Sequence, residues 1–152
     1  MASSSNHLID LLPRKDRLRF LGACEAVELP LAQVLCEPGK PTKYVYFPTD
    51  GFISLIAVVK GSPGVEVGMV GREGMLGVQL ALGVATAPLH ALVQGAGTAW
   101  RIGTKAFKAE LAAARHDALA AFLDIAVAAQ AFHRFLRKMA AALAYPDRKS
   151  VV

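Results

Sequence analysis

The sequence predicts a mainly β domain, an antiparallel sandwich or barrel with flanking helices, on three observations. First, aromatic and β-branched residues between Tyr44 and Gly77 gather in short runs, each closed by Gly, Pro or Asp. Tyr44-Val45-Tyr46-Phe47 stops at Pro48-Thr49-Asp50-Gly51, Phe52 to Val59 at Lys60-Gly61-Ser62-Pro63-Gly64, and Val65 to Val70 at Gly71-Arg72-Glu73-Gly74. Glycine supplies the positive φ of tight turns and proline presets φ at their entry, so these breaks are turns with a mechanism. Second, the apolar spacing switches to steps of three and four late in the chain, which is the period of a helix. Third, hydrophobic content is 54% and charged content 19% of 152 residues, enough for one core in one domain.

Taken in order, Asn6 is placed to cap a short helix from His7 that carries Leu8, Ile9, Leu11 and Leu12. Pro13 interrupts it and opens a second helical stretch to about Ala23, with Leu18 and Leu21 facing inward. Val27, Leu29 and Leu31 alternate with Glu28 and Pro30, the pattern of a half-buried strand. Val34 to Cys36 and Tyr44 to Phe47 follow as strands around the Pro38-Gly39-Lys40-Pro41 turn, and Phe52 to Val59 is apolar enough throughout to be fully buried. Met75 to Gly83 reads as a short strand and one helical turn through Val78 to Leu82, ended by Pro88. Leu89 to Gln94 and Thr98 to Ile102 are the closing strands, separated by Gly95-Ala96-Gly97. Thr104 caps a helix from Lys105 to about Ala114, and Asp117 caps a longer one from Ala118 towards Tyr145, where Pro146 ends it.

That last helix carries a heptad seam: Phe122, Ile125, Ala129, Phe132, Leu136, Met139 and Leu143. About 27 residues at 1.5 Å each make a rod of roughly 40 Å, longer than a domain of this size covers. The seam could pack inside one subunit, but its length favours a homodimer in which two copies of the helix meet.

Charge and cysteines bound the function classes. A formal charge of +5 favours acidic partners only mildly, and the scattered basic residues read as solvated helix faces rather than a nucleic-acid patch. No apolar run reaches the ~18 residues needed to cross a bilayer, so no membrane partner is expected. Met1-Ala2-Ser3-Ser4-Ser5-Asn6 is polar and lacks the basic start and apolar core of a signal peptide. Cys24 and Cys36 read as free thiols in a reducing cytoplasm, and two thiols cannot ligate a cluster that needs four. No cofactor is implied.

Residues 8–112 resemble the sensor domain of Crp/Fnr-type bacterial transcription regulators. The resemblance is carried by Leu11-Leu12-Pro13, Cys24-Glu25 to Leu29, Val34-Leu35-Cys36-Glu37-Pro38-Gly39, Val45 to Gly51, Ser54-Leu55, Val67 to Met75 and Leu82-Gly83, in that order. It implies a jelly-roll β-barrel of the cyclic-nucleotide-binding type, short N-terminal helices and a long C-terminal dimerisation helix. The expected organisation is a polar tail and helices over 1–23, a sensor barrel over 24–103 and C-terminal helices over 104–146. In such regulators a helix-turn-helix domain follows and reads DNA, so DNA binding is expected only through that missing part. Asp147-Arg148-Lys149-Ser150-Val151-Val152 match a translated sequencing adapter and are expected to be a non-native tail. On that reading the DNA-binding half is lost from this chain, not from its parent.

In nucleotide-binding relatives a Gly is followed by a Glu that holds the ribose, and an Arg-Ser pair about ten residues on neutralises the cyclic phosphate. By resemblance Gly77 matches the Gly, Val78 stands in place of the Glu, and Ala87-Pro88 stand in place of Arg-Ser. Gln79 and Leu89 complete the candidate effector pocket. With no cation for the phosphate, cyclic AMP and cyclic GMP are not expected to bind, and the small-molecule effector is unknown. Arg72-Glu73 reads as an exposed turn, and His90 as a solvent-facing or backbone-satisfied strand histidine, with haem ligation the lesser alternative.

The residues also bear on two other classes. A cupin-like metalloenzyme needs clustered strand histidines, and of His7, His90, His116 and His133 only His90 falls on a strand. No Gly-x-Ser-x-Gly elbow or Cys–His pair is present, so catalysis is not expected. A stand-alone sensory or adaptor domain shares every feature of the regulator except the DNA-binding half.

Overall fold

The computed structural model describes residues 6–58, 60–61 and 63–114. Seven strands run in order: β1 (Glu25–Leu29), β2 (Val34–Cys36), β3 (Tyr44–Pro48), β4 (Phe52–Ala57), β5 (Val65–Val70), β6 (His90–Gly95) and β7 (Gly97–Gly103). They form two antiparallel sheets, β1-β7-β3 and β2-β6-β4-β5. Helices α1 (His7–Asp10), α2 (Arg14–Gly22) and α3 (Thr104–Ala113) flank them, with a 3-10 helix at Val78–Leu82. The mainly β class with few helices is as expected.

The barrel, however, is not closed. β6 and β7 follow one another across Gly95-Ala96-Gly97 without pairing, because the chain leaves the four-stranded sheet there and enters the three-stranded one. The corner is tight. Gly51, at φ +71°, passes so close to it that an added Cβ would collide with the Gly95 carbonyl and lie 2.7 Å from the Ala96 oxygen.

Two apolar clusters follow from this arrangement. One lies between the sheets and joins Leu29, Tyr46 and Ala99 to Ile53, Val70, Ala91 and Val93. The other lies on the far face of the three-stranded sheet, where Val45, Phe47 and Ile102 meet Leu8, Ile9, Phe20 and Phe107 of the helices. Alternate residues of β3 therefore serve opposite faces, which is why Tyr44 to Phe47 is apolar without alternation.

The N-terminal cap is as expected and does more than cap. Asn6 Oδ1 accepts from the Leu8 and Ile9 amides at 3.1 and 3.3 Å. Its Nδ2 donates to the carbonyls of Pro48 and Gly74 at 2.9 and 3.1 Å, tying α1 to the sheet. The 3-10 helix also falls where expected, preceded by an isolated bridge between Leu76 and Tyr46. It ends at Gly83 in the left-handed region, well before Pro88.

Several expectations are corrected. Leu18 faces outward at 61% exposure while Asp16 and Phe20 are buried. Two residues on a helix are about 200° apart, so the buried pair sends Leu18 to solvent. Leu31 is also exposed: β1 ends at Leu29, and Pro30 has no N–H to extend the ladder. The run from Phe52 is not fully buried. Ile53 and Ser54 are, but Phe52 and Val58 are exposed, because the helical residues of the core all join the cluster on the other sheet. Thr104 does not cap α3; it is the first helical residue, and its hydroxyl donates to the Thr42 carbonyl at 2.6 Å. The long helix from Ala118, its seam Phe122, Ile125, Ala129, Phe132, Leu136, Met139 and Leu143, and the tail 147–152 lie outside the described residues.

Candidate functional site

The two sheets part at one end into an open cleft of about 640 Å³. β2 contributes Leu35 and Cys36, β3 contributes Tyr44 and Tyr46, and the segment between them contributes Glu37, Lys40 and Lys43. Ala87 also lines the cleft.

The rim is held by backbone. Gly39 N–H donates to the Ala87 carbonyl and Ala87 N–H to the Lys40 carbonyl, both at 2.9 Å. Thr42 N–H donates to the Ala85 carbonyl at the same distance, and Pro41 bridges Thr86. This short ladder fixes the lysine-bearing turn against residues 85–87. Gln79 adds a side-chain tie, its Nε2 donating to Thr42 Oγ1 at 2.9 Å.

Below the rim, register aligns a polar row. Glu25 of β1 opposes Arg101 of β7, which opposes Tyr46 of β3. Arg101 Nε and Nη2 reach Glu25 Oε1 at 2.7 and 2.6 Å, and the guanidinium lies 4.3 Å over the Tyr44 ring. The hydrogen bond to Glu25 raises the Arg101 pKa, so its charge is fixed. Burial pushes the Tyr46 phenol up, against the pull of Arg101. The two tyrosine rings meet edge to face, centroids 6.3 Å apart.

Of the residues singled out from the sequence, the cleft wall includes Ala87. Gln79 touches the rim through Thr42. Gly77 is buried at φ +103°, and Val78 packs on the helix-side cluster. Pro88 is exposed and Leu89 half-buried. Arg72 and Glu73 are exposed in a turn, where Glu73 Oε1 accepts from the Gly71 amide at 2.9 Å. His90 is half-buried on β6 opposite Ile56. Sequence reasoning missed Lys40, Lys43, Tyr44, Tyr46 and Arg101 as a group. The available signal was the period of β3, which puts both tyrosines on one face. Among the described residues no three His, Cys, Asp or Glu side chains gather as a metal site.

Cys24 and Cys36 are free and half-buried. Burial pushes the Cys36 thiol up to about 11; burial and then Glu110 push Cys24 up to about 12. The unfolded chain releases these protons first, near the ordinary value of 9. The stability they contribute is therefore complete below about pH 8.5 and falls as pH rises through the folded values. Thermal scans at about pH 8 and pH 10.5 are expected to show a smaller alkaline drop in Tm for Cys24→Ala than for the unaltered chain. An equal drop in both would remove the thiol from the account.

No protein-family model matches the sequence, and no curated protein matches it. Solved structures do. The N-terminal domain of a transcriptional regulator from Streptomyces coelicolor A3(2) is 20% identical at a TM-score of 0.64, with 97% of this chain and 98% of that one covered. The sensor domain of the transcriptional regulator DNR from Pseudomonas aeruginosa is 15% identical at 0.63, covering 80% and 85%. A triple mutant of the regulatory subunit of a cAMP-independent protein kinase A from Trypanosoma brucei, bound to cAMP in the A site, is 11% identical at 0.69, covering 90% and 48%. The chain thus has the fold of these regulator sensor domains and cyclic-nucleotide-binding domains. At such identities the likeness is one of fold. Among the described residues no helix is long and apolar enough to cross a membrane.

Proposed function

We propose that this chain is the sensor and dimerisation part of a Crp/Fnr-type transcription regulator, acting without catalysis in the cytoplasm. An effector in the cleft shifts the pairing of two long helices and so reorients DNA-binding domains outside this chain. The observation that carries the reading is the cleft itself, set between two sheets of a sensor-type fold, with β3 in its wall. A ligand that binds one arrangement of β3 better than another biases the equilibrium by that difference in affinity. The seam from Phe122 to Leu143 supports the homodimer, since its spacing suits a second copy of itself. Val78, Ala87 and Pro88 supply neither carboxylate nor guanidinium, which argues against a cyclic nucleotide as the effector.

Fusion to a DNA-binding domain that represses a reporter only as a dimer tests the reading. The fusion is expected to repress, and Phe132→Asp with Leu136→Asp in the seam to abolish repression without lowering fusion levels. A wild-type fusion that accumulates yet leaves the reporter fully on would overturn it.

A further inference from the structure

Taking the cleft as the effector site, as above, we propose that it accepts a small aromatic carboxylate. The ring lies against Tyr44 and Tyr46, and the anionic group is held at the rim by Lys40 and Lys43. The volume of about 640 Å³ lies within the roughly 300–1,000 Å³ typical of small-molecule sites. The aromatic side is supplied by β3: Tyr44 is 37% exposed and has a guanidinium 4.3 Å from its centroid. Arg101 engages Glu25, so the row below the rim is already neutralised.

The charge at the mouth is different. Lys40 and Lys43 are exposed, line the cleft, and have no carboxylate within ion-pair distance among the described residues. Glu37 is the one carboxylate among the described lining residues. Two ammoniums against one carboxylate leave a single positive charge, which complements a monoanion. The backbone ladder from Gly39 to Thr42 holds the turn that bears Lys40 before any ligand arrives, so little ordering is left to be done on binding. Ala87, on the rim beside Lys40, presents only a methyl group to the cleft.

Calorimetry on the full chain tests this with phenylacetate and indole-3-acetate as probes, their neutral amides as matched controls, and cyclic AMP. The acids are expected to bind, and each amide to bind about fivefold more weakly or worse. Lys40→Gln with Lys43→Gln is expected to weaken the acids by about fivefold at unchanged Tm. Tyr44→Ala is expected to weaken acid and amide alike. Amides that equal the acids, a double lysine variant that binds as well as the unaltered chain, or no heat from any aromatic acid at millimolar concentration would each overturn the ligand class. So would low-micromolar binding of cyclic AMP in their place. Repression by the dimer-dependent fusion is independent of these heats. Its loss overturns the sensor reading, whereas silent calorimetry with repression intact overturns the ligand class alone.

Discussion

Phe47→Ala is expected to destabilise the domain by about 3–5 kcal/mol, the usual range for deleting a fully buried phenylalanine. Phe47 is 0% exposed and sits where β3 meets the helices. Its ring packs edge-on to Phe20 with centroids 5.3 Å apart, and tilted against Phe107 at 6.5 Å. Aromatic pairs of this kind contribute about 0.5–1.5 kcal/mol beyond the area they bury. Truncation thus removes the contact that fastens α2 and α3 to one strand. Domains of this size are stable by about 5–15 kcal/mol, so the loss is a large share of the total. Urea unfolding should show a lower midpoint at unchanged slope, with Phe47→Leu costing less than the alanine variant because it leaves a smaller cavity. A loss below about 1 kcal/mol for the alanine variant would mean that the helices rest elsewhere.

Gly51→Ala is expected to cost at least about 3 kcal/mol by a different route. A left-handed conformation alone costs an L residue about 1–2 kcal/mol. At Gly51 the new methyl also meets the Gly95 carbonyl and lies 2.9 Å from the Ala96 carbonyl carbon, both backbone atoms of the corner between the sheets. A flexible side chain could swing aside; a corner that joins two sheets moves only if both sheets do. Gly83 provides the matched control, since it has φ +79° and nothing within 4 Å of an added Cβ. Gly83→Ala should show the conformational cost alone. Equal losses at the two positions, read by the same unfolding titration, would show that the corner yields.

Local chemistry made much of the fold legible. Strands β3 and β5 stop at the residues that turns require, and Asn6 caps because its side chain reaches amides two and three residues on. Legibility ended where distant parts meet. Leucines alone did not reveal which face of α2 is covered, because that depends on Asp16 and Phe20 packing against elements far along the chain. Sheet closure depends on pairing between strands some fifty residues apart, such as β3 with β7. The site shows the same division. The family resemblance pointed to Gln79 and Ala87, which bear on the rim, but Lys40 is set there by a ladder in which Gly39, Lys40 and Thr42 bond to residues 85–87, and the Lys43 carbonyl accepts from the Thr104 amide, pairings that no spacing announces.

β3 is a partition with a tenant on either side. Tyr44 and Tyr46 look into the cleft, while Val45 and Phe47, one peptide away, grip the helices. Whatever nudges one tyrosine along that strand must drag the neighbouring phenylalanine with it. Under the proposed sensor role, occupancy of the cleft would have a single peptide unit to cross before it reached the helices.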